Sequence, residues 1–363
     1  PKPATGAGEA APAAAPATEA LKPEPSNPDA ESKRAAKAAE VAKNIDSGAT
    51  RVCILNFGAP SGIPNRPDDM VGVQVNVASW RHGVPMLEKD KVDVVVVRIN
   101  SGGGYTFERS RFQELYQNVY KKKFRTVGWV ESAISAAAMS PYVLEEFYFM
   151  PNGNLGGCTS WSGDLQSTEG LGLEMILAEM EEASRLAGRS PAIMRAMQIE
   201  VPLSCTIDEK TGDVTWFQDT SGEHLVNPQG QILTLTANDA VKYKFARGIA
   251  ATKEELVKAM GLNEVVWAGE EATRYIDDNM RAVHIAENRW QDKYREVLLY
   301  SGYAEQAQDR TDRGKFVGKA LAALREMRSL YATNPNFGFL NNVDDEWFRR
   351  VEQDLKRLLR DDR

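Results

Sequence analysis

The chain has 363 residues, 42% of them hydrophobic and 26% charged, with a net charge of −7 and a pI near 5.3. That is enough apolar side chain for a sizeable core, and the length fits one large domain with extensions or two domains. The acidic balance excludes a long nucleic-acid footprint, which needs a clustered cationic face, and no run reaches the ~18 apolar residues of a membrane-spanning helix.

Residues 1–30 are dominated by Ala, Pro, Glu, Gly, Thr and Lys. Such a segment cannot bury enough apolar surface to order itself, so a flexible tail is predicted. Because the sequence starts at Pro1, the tail fits a tether left after removal of an export signal or anchor, and equally a plain tail. Compartment stays open between a bacterial cell envelope or periplasm and the cytoplasm. Membrane contact is expected only through a removed or absent N-terminal segment. Residues 30–46 are Ala-rich and charged, helix-prone but too short to hold a helix without packing.

From Arg51 the pattern changes. RVCILNF reads as a strand, GAPSGIPNRPDD as a loop, and a helix is expected around Met86–Leu87. VDVVVVRIN (92–100) is a continuous β-branched run, as in a strand buried on both faces of a parallel sheet. SGGG follows as a turn. Residues 106–124 form a helix with Phe112, Leu115, Tyr116 and Val119 on one stripe. RTVGWV (125–130) is the next strand, 135–147 a short helix despite Pro141, and FYFMPNG another strand and turn. This alternation implies βαβ units with right-handed crossovers.

Residues 165–198 are helical, with Ser190 as a cap and Pro191 at the first helical position. Short strands are expected over 202–236, around the turns KTGD, TSGE and NPQG. Two short helices fill 238–260, one opened by Thr252 with Glu255 three residues on. From about 281 the chain is polar and helical, broken at NPNFG (334–338), and gives two or three helices. The predicted organisation is a tail with a short helix over 1–46, one α/β domain over 47–270, and a helical extension over 271–363 for oligomerisation or partner contact. Deleting 285–363 is expected to disturb assembly more than folding.

Chemistry concentrates in one region. Glycines 102–104 remove Cβ atoms where a strand ends, so the backbone can turn sharply and present N–H groups. Thirty residues later Ser135 lies at a strand-to-helix junction among Ala133, Ala136, Ala137 and Ala138. A helix start offers unpaired N–H donors and a positive dipole end, which suit a developing oxyanion. Cys53, Cys158 and Cys205 are odd in number and widely spaced, and His82, His224 and His284 are scattered. Neither set has metal-ligand spacing, so no metal and no cofactor is expected.

These residues carry a resemblance. RINSGGG (98–104) resembles the INSPGG turn of ClpP-class serine peptidases, with Gly102 in place of the usual proline. SAISAAAMSPYVLEEFYFMPNGNLGG (132–157) is similar to the SAGAYIALAADEIYMAPGTAIG stretch of signal peptide peptidase A and the NfeD-like membrane-bound serine peptidases. GQILTLTANDAVKYKFARGIAATKEELVKAMGL (230–262) resembles the segment that follows in the NfeD-like group. The resemblance covers about residues 50–265. It implies a ClpP/crotonase-like α/β spiral of βαβ units, a homo-oligomer, commonly a ring, and an extended peptide or protein substrate. It places Ser135 at the nucleophile, Gly103 and Gly104 with the Ala136 N–H at the oxyanion hole, and Asn100, Ser101 and Gly102 in the substrate-binding turn.

The general base does not carry over. A serine hydroxyl is a weak nucleophile until a neighbour takes its proton. The family uses a lysine on the helical region after the serine, or a histidine in the ClpP branch. Here no Lys lies between Lys123 and Lys210 and no His between His82 and His224. Arginine stays protonated and cannot serve. Lys210, Lys242 and Lys244 are the candidate bases within the chain, and another subunit is the alternative source. Two readings follow: a serine endopeptidase using Ser135, or an inactive pseudopeptidase acting as an oligomeric scaffold or binding protein. Crotonase-type acyl-CoA chemistry fits less well, because both motif blocks resemble peptidases.

Overall fold

A computed structural model of the chain describes residues 21–22, 24–25, 49–59, 69–162 and 166–360. The tail and short helix expected over 1–46 lie almost entirely outside the described residues. The architecture is α/β with a mostly parallel sheet and long C-terminal helices, as the sequence implied.

Four strands form the frame: β1 (Thr50–Gly58), β2 (Val94–Ser101), β3 (Arg125–Ile134) and β4 (Glu146–Gly156), paired parallel in that order. The short strand Val265–Trp267 joins β1, and Gly248–Ile249 and Thr234–Thr236 join β4, the last antiparallel. The β-branched run of β2 is buried because both faces are covered. Val95, Val97 and Ile99 face the main core, while Val94 and Val96 pack with Leu256 and Met260 on the opposite side. Helix α1 (Val77–Lys89) and helix α2 (Thr106–Leu115) cover the main face. Between them Trp80, Phe57, Phe112, Tyr116 and Tyr120 form a cluster of mostly edge-to-face rings.

Local boundaries moved for identifiable reasons. Helix α1 starts at Val77, nine residues before Met86, because Asn76 caps it by accepting from the Ser79 amide at 3.0 Å. The helix expected over 135–147 is only α3 (Ala136–Met139) and a 3-10 turn (Ser140–Val143), since Pro141 has no N–H to continue it. The strand after Arg125 extends to Ile134. Two bulges bend its end: Glu131 is extra against β2, and the partner of β3 on β4 jumps from Phe149 to Asn154 within two residues. Arg98 holds the Glu131 carboxylate at 2.5 Å.

Helices α4 (Gly170–Leu186) and α5 (Pro191–Gln198) follow, with Ser190 capping α5 from the Ala192 amide at 3.3 Å. Residues 203–227 form a separate antiparallel sheet of three strands, Leu203–Ile207, Val214–Phe217 and His224–Asn227, joined at one edge by Glu24–Pro25. Helices α6 (Ala237–Lys242) and α7 (Lys253–Ala259) come next; Thr252 accepts from the Glu255 amide at 3.2 Å.

The C-terminal arm has one helix more than expected. It comprises α8 (Glu270–Gln306), α9 (Arg310–Thr333), α10 (Asn336–Asn341) and α11 (Asp345–Leu358). Asn334 and Pro335 do break the helix, but Asn336 restarts it. The first turns of α8 bury Ala272, Ile276 and Met280 in the main core. Its remainder builds a second core around Trp290, Val317, Met327, Phe337 and Phe348. No helix among the described residues is long and apolar enough to cross a membrane.

Burial pushes the Cys53 thiol up from 9.0 to about 11, and Cys158 higher still. The folded chain keeps these protons above pH 9, where the unfolded chain loses them. The stabilisation is therefore complete below about pH 9 and is lost as pH rises through about 11. A urea midpoint that falls steadily over that window is the expected result. An iodoacetamide reaction at about pH 8 that waits for denaturant checks the same burial.

Candidate active site

Ser135 leaves the end of β3 with φ 56° and ψ −129°, a conformation that side-chain-bearing residues rarely adopt. Its backbone is tied down on both sides. Its amide donates to the Gly156 carbonyl at 3.0 Å, and its carbonyl accepts from the Ala138 and Met139 amides at 2.9 and 3.1 Å. Such backbone strain costs about 1–3 kcal/mol and survives only where the surroundings over-determine it. Ser135→Gly is thus expected to stabilise the fold by about 1 kcal/mol, after the ~0.4–1 kcal/mol entropic cost of glycine. Denaturant titration of that variant checks it.

The glycine turn abuts this serine. A Cβ added to Gly103, whose φ is 114°, would lie 2.7 Å from the Ser135 Cβ and 3.2 Å from its Oγ. Only glycine lets β2 and the serine come so close. The Gly103 amide donates to the Ser101 hydroxyl at 3.2 Å. The Gly104 amide has no acceptor among the described residues. Ala136 opens α3, where the first amide has no intrahelical acceptor. Of these amides only Gly104, half-buried and without an acceptor, is open to a ligand; Ala136 is fully buried, and Gly103 is packed against the serine.

Asn100, Ser101 and Gly102 differ in exposure and in their partners. Asn100 spends its side-chain amide on the Ala59 carbonyl at 2.9 Å. Ser101 is 1% exposed and donates to the Asp69 carbonyl at 2.6 Å. Both brace the turn from beneath, and Gly102 alone of the three is exposed.

The candidate bases are not assembled with Ser135. Lys210 is exposed in a hairpin turn that its amide closes by donating to the Asp208 carboxylate at 2.8 Å. Its neighbour Thr211 lines one cleft with Lys244 and Glu145. Glu145 precedes Glu146, which pairs with Val127 at the opposite end of β3 from Ser135. Lys242 is exposed, with its Nζ 4.9 Å from the Tyr243 ring. Among the described residues no Lys or His hydrogen-bonds the Ser135 hydroxyl. Outside the described residues, 60–68 (PSGIPNRPD) and 163–165 (GDL) contain neither residue type, whereas 1–20 and 26–48 carry Lys2, Lys33, Lys37 and Lys43.

One polar pair near the turn escaped sequence reasoning. His284 Nε2 meets the Asp69 carboxylate, and Asp69 is fully buried. The two residues are 215 apart in the chain, and neither sits in a motif that would signal the pairing. No group of three or more His, Cys, Asp or Glu able to hold a metal occurs among the described residues.

The chain is similar to the membrane protein NfeD1b of Bacillus subtilis (strain 168), at 23% identity over 173 residues. The match takes in 47% of this chain and 35% of that protein, so it spans about a third of the relative's length. The resemblance to NfeD-like proteins read from the motifs is therefore a distant homology. Among solved structures, the chain is similar to two forms of the 1510-N membrane-bound stomatin-specific protease. One is a serine-to-alanine mutant (14% identity, TM-score 0.41, 58% of this chain and 85% of the other). The other is a lysine-to-alanine mutant in complex with a substrate peptide (15% identity, TM-score 0.41, 58% and 80%). No family model matches the chain.

Proposed function

We propose that the protein binds an extended peptide at the Ser135 cradle and lacks the base needed to cleave it, making it a pseudopeptidase-type binding protein. The observation that carries this reading is a pairing of opposites. Ser135 is held in a strained conformation against Gly103, yet the sequence from Phe124 to Glu209 and residues 60–68 contain no lysine or histidine. The cradle lies at the carboxyl ends of β2 and β3, where open α/β sheets receive their ligands. The open amide of Gly104 would hold a peptide carbonyl, and the buried Ala136 amide at the start of α3 would join it only if the site adjusts on binding.

A second reading keeps catalysis: a homo-oligomer in which another copy supplies a lysine. Its support is the persistence of the strained serine, which a purely structural position would gain by losing. Calorimetric titration of a library-selected peptide, with cleavage of the same peptide followed by mass spectrometry, separates the two. The proposed function predicts saturable binding, weakened by Gly103→Ala, with no Ser135-dependent products. Products that vanish in Ser135→Ala would replace it by the second reading. Absence of binding would overturn both.

A further inference from the structure

The segment 69–76 is a strap laid between the glycine turn and the C-terminal arm. On the turn side, the Val71 amide donates to the Gly103 carbonyl and the Val71 carbonyl accepts from the Tyr105 amide, each at 2.8 Å. The Asp69 carbonyl receives the Ser101 hydroxyl at 2.6 Å. A Cβ on Gly104 would meet the Val71 carbonyl oxygen at 2.2 Å, so strap and turn are in backbone contact.

On the arm side the contacts are side-chain hydrogen bonds. Asn334 and Asn336 donate to the carbonyls of Val73 and Gly72 at 2.7 and 2.9 Å. Gln74 donates to Glu287 at 2.8 Å, Asn76 to Asn279 at 2.9 Å, and His284 meets Asp69. Hydrophobic contacts alternate in the same way. Val71 and Val75 belong to the main core, and Val73 to the core of the arm. Asp69, Gln74, Asn76, Asn334 and Asn336 are all buried, so a lost partner leaves a desolvated polar group behind.

We infer that the C-terminal helical arm positions the Gly103–Gly104 turn through the strap 69–76, with Asn334, Asn336 and His284 as the positioning residues. The arm is thus part of the ligand site's support, in addition to any surface it offers for assembly. Its consequence for peptide binding rests on the proposed function; its structural content does not.

The test uses the full chain with 15N-glycine labelling and reads the amide signals of Gly103 and Gly104. Asn336→Ala and Asn334→Ala should shift or broaden both signals while the circular dichroism stays native. Leu298→Ala, an exposed site on α8, should leave them in place. His284→Ala, at a partly exposed position, gives the same readout if an asparagine variant does not fold. Peptide affinity should fall by about 5- to 150-fold in the positioning variants, the usual range of intersite coupling. Unchanged Gly103 and Gly104 signals in a folded positioning variant would overturn the inference. If the wild type binds no peptide, the proposed function fails, and the glycine signals still decide this point.

Discussion

Gly104→Ala is expected to destabilise the protein by about 3 kcal/mol or more and to remove peptide binding at Ser135. Two terms add. The φ of 149° is strained for a residue with a side chain, and the new methyl would lie 2.2 Å from the Val71 carbonyl oxygen and 2.6 Å from its amide nitrogen. Backbone cannot give way there without breaking the two Val71 hydrogen bonds that join strap and turn. Gly103→Ala should behave differently. Its methyl meets the Ser135 Cβ at 2.7 Å, so the damage falls on the serine and on binding more than on the strap. Denaturant titration alongside peptide affinity separates the two patterns.

Trp290→Ala is the second large effect. The side chain is 1% exposed at the centre of the arm's core, with ring centroids 5.7 Å from Phe337 and 6.4 Å from Phe348. Removing it should cost about 3–5 kcal/mol through lost transfer energy and the cavity left behind. Its indole N–H is buried without an acceptor among the described residues, so Trp290→Phe should cost much less. The effect should not stop at the arm. Phe337 belongs to α10, whose Asn336 holds the Gly72 carbonyl. Loss of Trp290 should therefore loosen the strap and weaken peptide binding, measurable as a fall in affinity in the still-folded variant.

Much of this was legible because the signals are local. The run VVVVRIN could only be a strand covered on both faces, and SGGG after it could only be a turn. Ser135 before three alanines marked a strand-to-helix junction by composition alone. The lack of lysine and histidine from Phe124 to Glu209 was legible as well, since it is a fact about which residue types occur where. What stayed hidden depends on long-range pairing. Nothing around Asp69 announces His284, and nothing in NPNFG, which reads as a helix breaker, announces two asparagines that hold the carbonyls of a strap more than 260 residues earlier. The side-chain partners of Asn100 and Ser101, the carbonyls of Ala59 and Asp69, were likewise not readable from the motif. The bulges that bend the end of β3 also escaped, because each depends on the register of two strands.

A nucleophile position without an activating base can be probed by reacting the full chain with a fluorophosphonate and locating any adduct by peptide mass spectrometry, with Ser135→Ala in parallel. No adduct at Ser135 and equal background in both proteins are expected from about pH 6 to 9, since an unassisted hydroxyl stays protonated there. A stoichiometric adduct on Ser135 that disappears in Ser135→Ala would contradict that expectation.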